Sequence, residues 1–471
     1  MSTMGNRSQI AIGTVERIAN VGKLYPGRRA SLSLEVVVVG CGLGGVAAAY
    51  CLAQAGHKVT ILEAAPTIGE IGAGIQVSPN LSRLLIRWGL RKRLEEVAVK
   101  PEGLDFRRWC TGETVAWTMW GNTLEEEYGA PYYHIHRADF HRMLYELVEP
   151  QCTIRTNCRV VSMDTSKPTL TLESGEVVHA DLVIGADGVK STLRQYVVGG
   201  PDRARPTGDA AYRAIIPTEK LLQDLDLRPL VEKSEMVGWM GPRRHIMAYN
   251  IRAKREYNIV LVHPDDDGEE SWTAKGSTDK MRAEFVGWEP RIQKLLALIP
   301  STLNWKLMDR DPIETWIHKD GTLVLLGDSC HPMLPYRAQG SAMAVEDAAV
   351  LGNLFSRLAH RSQILPLLHA YQSIRYDRAT ATQMSSRLNQ HIFHLPDGPQ
   401  QEKRDREMRA AMEDALRVAR GERSTLTSAG NANQWADKEK NSIQFGYDAD
   451  EEAEIWWRNH GHTLRGPRAL L

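Results

Sequence analysis

The sequence predicts an α/β protein: a parallel-sheet domain, interrupted by a second, mainly antiparallel-sheet domain and closed by a helical C-terminal section. Three observations predict it. A strand, a glycine turn, a helix and a second strand follow one another over residues 35–63. Two more buried strands, at 181–185 and 321–326, each run into glycine and an acid, 140 residues apart. Between them, residues 208–305 are rich in short β-branched and aromatic runs.

The first unit opens on Val36, Val37, Val38 and Val39, a run suited to a strand buried on both faces. Gly40, Gly42 and Gly45 then satisfy G-x-G-x-x-G. Gly40 permits the tight turn, Gly42 lets a pyrophosphate approach the backbone, and Gly45 lets helix and strand pack closely. The Ala-rich stretch 46–55 reads as the helix, whose N-terminus offers free N–H groups to phosphates, and Gly56 stops it. Residues 58–62 form the second strand, and Glu63, 23 residues beyond Gly40, can accept hydrogen bonds from an adenosine ribose. Residues 36–53 carry no charge over 18 positions, the lower limit for a bilayer span, but four glycines in six residues argue against one.

With 58 basic and 58 acidic residues the net charge is zero, which gives no nucleic-acid footprint. The six cysteines form no C-x-x-C pair, as expected for a reducing compartment without a disulfide framework or zinc site. Residues 1–34 are expected to be a mobile, basic extension of a cytoplasmic protein, with an organelle address as the alternative.

Three glycines at 69, 72 and 74 imply close backbone approach. Residues 81–94 read as helical, 103–120 as a hairpin turning at Thr111-Gly112, and 136–148 as a helix with Asp139 in its first turn. Residues 152–163, 169–172 and 176–179 suggest an antiparallel meander. Strands are expected at 210–216, 235–240, 245–251 and 258–263, an exposed acidic loop at Asp265-Asp266-Asp267, and a packing role for Trp272. After the 321–326 strand, Pro332 and Pro335 forbid a helix, which resumes at 340–359, 365–390 and 402–422. The expected divisions are an extension at 1–34, the nucleotide domain at 35–207 and 306–390, the second domain at 208–305, and a helical or irregular region at 391–471.

The glycine motif at 40–45, the stretch 181–194 ending Gly185-Ala186-Asp187-Gly188, and the stretch 327–348 opening Gly327-Asp328 together resemble the three fingerprints of class A flavoprotein aromatic hydroxylases. The third is most similar to salicylate hydroxylases and their fungal relatives in secondary metabolism. The resemblance covers roughly residues 35–390, and more loosely 445–449. It implies a Rossmann-like FAD-binding domain, noncovalent FAD, transient NAD(P)H, dioxygen and a small aromatic substrate. It also implies roles residue by residue. Asp328 would hold the ribityl chain, and Gly340 and Ser341 would begin a helix facing the flavin N1 edge. Pro335 would lie against C4a with no proton to give, and Arg137 and Asp187 would contact the cofactor, with Gly74 among the close-approach glycines. Arg213 and Tyr249 are the candidate substrate residues, able to pair with a carboxylate or phenolate and to hydrogen-bond a ring oxygen. Arg337 departs from the pattern, which often carries a neutral residue there. His331 reads as a structural histidine, and Glu346-Asp347 as partners of a neighbouring loop.

The expected reaction is NAD(P)H- and oxygen-dependent hydroxylation of a phenol or salicylate, with decarboxylation or dearomatisation as variants. The rivals are a flavin oxidase or dehydrogenase and a flavin-fold binding protein without redox chemistry. No nucleic acid, metal or membrane span is expected, and the oligomeric state is left open.

Overall fold

The computed structural model describes residues 24–69, 72–265, 275–424 and 432–464. Asp266, Asp267 and Trp272 lie outside the described residues, as do the first 23 residues of the extension.

The valine strand Glu35–Val39 is the middle of a five-stranded parallel sheet, in the order Leu323–Leu325, Leu182–Gly185, Glu35–Val39, Lys58–Leu62, Thr153–Arg155. Residues 153–155, read from sequence as part of a meander, instead form the parallel edge of this sheet. The separate meander comprises Val160–Asp164, Thr169–Leu172 and Val177–His179. A strand that short carries no periodicity from which its partner could be read.

Helix Leu43–Gln54 covers the sheet and packs on helix Gly340–Phe355 through small residues. An added Cβ at Gly352 would lie 2.6 Å from Cys51 Cβ, so this pair of helices approaches closely only as glycine and alanine permit. The helical stretch predicted at 81–94 is two helices, Pro79–Arg87 and Arg91–Val97, broken at Gly89, whose φ of +88° a right-handed helix cannot hold.

The second sheet has eight strands, ordered Lys275–Gly276, Thr302–Asp309, Arg205–Pro217, Glu256–Pro264, Arg244–Ile251, Glu235–Gly241, Gly103–Arg108, Thr114–Met119. The hairpin at 103–119 therefore belongs with it rather than with the 35–207 block, joined by parallel pairing of Gly103–Arg108 to Glu235–Gly241. Alternation along Arg205–Pro217 separates its two faces. Tyr212, Ala214 and Ile216 join Trp239, Ile259 and Phe285 under helices Thr278–Glu284 and Pro290–Ala297. Ala211 and Ile215 point the other way, with Phe106, Tyr249, Tyr132, Tyr336, Phe393 and Trp435. Arg213 shares that second face.

Two regions are more ordered than the sequence suggests. Leu24, Tyr25 and Leu34 are buried, and Arg28 bonds Ser356, Asn353 and Glu454, so the end of the predicted mobile extension is part of the core. The C-terminal helices Pro399–Ala419, Lys438–Phe445 and Ala449–His460 are docked, the last by Arg87 bonding both Asp448 and Asp450.

Candidate active site

The glycine turn leads from the strand Glu35–Val39 into helix Leu43–Gln54. Gly40 has φ +106°, and an added Cβ there would lie 2.4 Å from the Ala186 carbonyl oxygen, which sets the second fingerprint directly against the first. At Gly45 an added Cβ would meet the Gly40 carbonyl at 2.0 Å. Gly42, the N-cap of the helix, differs: its Cβ position has nothing within 4 Å. An open glycine at the positive end of a 12-residue helix is a cradle for a phosphate. Glu63 accepts hydrogen bonds from the Cys41 and Ala65 N–H groups, both at 2.8 Å, which fixes its carboxylate at the mouth of that turn.

Helix Arg137–Val148 starts beside it, capped by His136, which accepts from the Ala138 N–H. Arg137 heads this helix, and burial lowers its pKa while Asp328 opposes that. Asp328 is surrounded by protein yet solvent-accessible, as a group lining an internal cleft is. Burial raises its pKa, with His331 and Arg137 pulling the other way. Among the described residues no protein donor reaches its carboxylate, and its Oδ1 lies 3.9 Å from where a Gly340 Cβ would sit. Gly340 begins a 16-residue helix with no acid in its first turn, and Ser341 beside it is half-buried. Pro335 heads the turn Pro335–Arg337, which ends on Ala338 at φ +52°. The residues present therefore fit FAD: an open glycine and helix end for the pyrophosphate, Glu63 for the ribose, and an unpartnered carboxylate beside a second helix end.

Two candidates are spent elsewhere. Asp187 accepts from Ser191 Oγ (2.6 Å) and from the Thr192 and Leu193 N–H groups (2.7 and 3.2 Å), so its carboxylate folds its own loop. Gly74 donates its N–H to Asn258 Oδ1 at 2.6 Å, and an added Cβ would lie 2.6 Å from both Asn258 Cγ and Tyr249 Cε2. Its close approach is to the large sheet.

Beneath the turn lies a buried ionic layer. Asp347 faces His331 Nε2 at 2.6 Å and accepts from Arg375 Nε at 2.8 Å and the Gly327 N–H at 3.1 Å. Glu346 accepts from Asn80 and Arg378, and Gln339 joins the layer through Asn80 and Ser78. Asp347 makes the loop contacts expected of this pair, through His331 and the Gly327 N–H, whereas Glu346 is held instead by Asn80, Arg375 and Arg378 on neighbouring helices; His331 is spoken for by a carboxylate.

Arg213 lies within electrostatic reach of both Tyr249 and Arg137. The Arg213 guanidinium lies 3.8 Å from the Trp305 ring centroid, and its Nε is buried without a hydrogen-bond partner. Burial pushes its pKa down; Tyr249 offsets part of this and Arg137 adds to it. The Tyr249 ring lies 4.4 Å from that of His134, tilted by 37°, and burial raises its pKa against the effects of Arg213 and Gln76. Trp305, His134 and Gln76 carry no motif and were not singled out from sequence; only their strand neighbours bring them here.

Against known proteins, residues 33–386 match the family described as FAD binding domain. The chain is 38% identical over 379 residues to an FAD-dependent monooxygenase of Beauveria bassiana, covering 80% of this chain and 89% of that protein. It is 36% identical over 380 residues to the 3-amino-4-hydroxybenzoate 2-monooxygenase of Streptomyces platensis, covering 80% and 93%. Among solved structures, a salicylate hydroxylase substrate complex superposes with a TM-score of 0.71 at 24% identity, covering 90% of this chain and 98% of that one.

Proposed function

The chain belongs to the FAD-binding-domain family and is an FAD-dependent aromatic monooxygenase, and from that premise we propose that its substrate is a phenol carrying an acidic group, anchored by Arg213. The observation that carries this reading is the Arg213 guanidinium itself, stacked on Trp305 with a buried Nε that no protein group satisfies. An arginine stays charged under such burial, so the fold holds an unpaired cation where a carboxylate or phenolate would complete it. The Streptomyces relative acts, by its name, on a benzoate with a ring hydroxyl, which has both groups.

Bound FAD, reduced by NAD(P)H, supplies the oxygen-activating chemistry. Glu63, Arg137, Asp328 and the helix ends at Gly42 and Gly340 would hold and orient it, while Asp187 keeps the neighbouring loop in shape. Arg213 favours the ionised substrate, which enriches the ring in electrons. Gln76 uses its carbonyl to accept from the Tyr132 hydroxyl at 2.5 Å, so what it offers Tyr249 is an N–H. The Tyr249 proton is left free to donate to a ring oxygen. Pro335 has no N–H with which to protonate a group near it. The apolar wall of Tyr132, Tyr249, Trp305 and Trp435 keeps water from the reacting ring.

The test is a screen of hydroxybenzoates and salicylates for stimulation of NAD(P)H oxidation, with product masses, on wild type and Arg213→Ala. Losing a charge-assisted hydrogen bond costs about 1.5–3 kcal/mol, so KM for the acidic phenols should rise roughly ten- to a hundredfold with FAD retained. More of the NAD(P)H consumed should then emerge as hydrogen peroxide. Wild-type KM and coupling in Arg213→Ala would place the anchor elsewhere.

A further inference from the structure

Five arginines are buried among the described residues: Arg194, Arg310, Arg337, Arg375 and Arg404. Four have carboxylates: Asp202 serves Arg194 and Arg310, Glu346 and Asp347 serve Arg375, and Asp405 serves Arg404. Arg337 has none. It is 3% exposed, its Nε and Nη1 are buried without hydrogen-bond partners, and its guanidinium carbon lies 5.1 Å from the Trp435 ring centroid. The charged or titratable groups that face it are Tyr132 and Asp437. Asp437 is committed as the cap of helix Lys438–Phe445, accepting from the Lys440 N–H at 3.0 Å with Lys440 Nζ at 3.8 Å.

Arg337 stands two residues beyond Pro335 with its guanidinium over Trp435, a member of the cluster packed on the face of the large sheet that Arg213 shares. Tyr132 links the two positions: it faces Arg337, its hydroxyl bonds Gln76 at 2.5 Å, and its ring lies 5.9 Å from that of His134, which lies 4.4 Å from that of Tyr249. The wall of the site thus runs Arg213, Tyr249, Gln76, Tyr132, Arg337, with an unpaired guanidinium at each end. A buried donor set that no protein group satisfies costs stability, and such groups mark places completed by a ligand. We propose that Arg337 is a second anion-binding residue of the substrate site, and that the substrate carries a second carboxylate or ionised hydroxyl on the side of the ring remote from Arg213. This rests on the acidic-phenol reading above.

Two measurements on the holoenzyme test it. In the first, Arg337→Met removes the buried cation while keeping apolar bulk against Trp435. If Arg337 waits for a ligand, the substrate-free variant should melt about 2 °C higher than wild type. If Asp437 needs Arg337 as a structural partner, the melting temperature falls and the proposal is overturned. In the second, flavin absorbance reports the Kd of salicylate, with one carboxylate, and of hydroxyisophthalate, with two. Wild type should bind hydroxyisophthalate at least tenfold more tightly. Arg337→Met should weaken hydroxyisophthalate ten- to a hundredfold and salicylate less than threefold, whereas Arg213→Ala should weaken both. Equal loss on the two phenols in Arg337→Met, or no preference in wild type, overturns the proposal. Binding of neither phenol to wild type instead overturns the acidic-phenol reading, and the melting shift then decides Arg337 alone.

Discussion

An added Cβ divides the glycines of the first turn into two kinds. At Gly45 it meets the Gly40 carbonyl at 2.0 Å, whereas at Gly42 it meets nothing, and the N-cap backbone there (φ −72°) suits any L-residue. Gly42→Val should therefore give a folded protein, by far-ultraviolet circular dichroism, that purifies without FAD. Gly45→Ala should fail to fold or lose several kcal/mol, because backbone must move. Normal FAD occupancy in Gly42→Val would remove the phosphate cradle from the account. The flavin should also be noncovalent. Cys330 is fully buried and His331 is held on Asp347 through Nε2, so acid precipitation should release all the yellow colour. Flavin retained in the pellet would contradict this. At this scale the sequence was most informative where a residue type answers a backbone demand, as at Gly40 and Gly45. It was least informative for Trp305 and His134, whose parts depend on which strand lies beside which.

Helix Gly340–Phe355 shows how one element serves both core and site. Its N-terminus faces Asp328, while nearly two turns further Glu346 and Asp347 are fully buried among Arg375, Arg378, His331 and Asn80. Removing one partner from such a layer leaves uncompensated charge, so Arg375→Met should destabilise the fold by about 3–5 kcal/mol in denaturant titration. The pH dependence has a definite sign. Burial alone would raise the Asp347 pKa, but His331 and then Arg375 override it and push it down to about 2. The folded value lies below the unfolded one of about 3.9, so this stabilisation is complete above that pH and is lost as the pH falls toward about 2. Asp347 also helps hold the His331 pKa up, and that pairing adds stability present below the unfolded histidine value of about 6.5 and lost as the pH rises through the folded one. The stability gap between wild type and Asp347→Asn should therefore be widest between about pH 4 and 6 and narrow on either side; a gap unchanged from about pH 5 down to about pH 2 would contradict the assignment. The helix itself was legible from its Ala-rich composition and the preceding prolines. Its buried acids could be placed near a loop, but their arginine partners lie on the next helix, Ile364–Phe393, at offsets that no motif encodes.

Across the whole molecule, the chain leaves the parallel sheet twice to build the eight-stranded sheet, first for residues 103–119 and again for 205–309. The second excursion was visible as a change of composition. The first was not, because a hairpin reads the same whichever sheet receives it, and pairing of Gly103–Arg108 with Glu235–Gly241 is set by tertiary packing. Likewise residues 24–34 look like a basic tail until Arg28 finds Glu454 near the far end of the chain. On the proposed reading, the double excursion would set the cofactor residues against Arg213, Tyr249 and Arg337, with ring binding and oxygen activation where the two sheets meet. The most direct test of that picture is turnover of a responsive phenol under isotopically labelled dioxygen, with NAD(P)H consumption followed in parallel. One labelled oxygen atom in the product for each NAD(P)H consumed is the predicted result. Stoichiometric hydrogen peroxide with an unlabelled oxidised product would show an oxidase and contradict it.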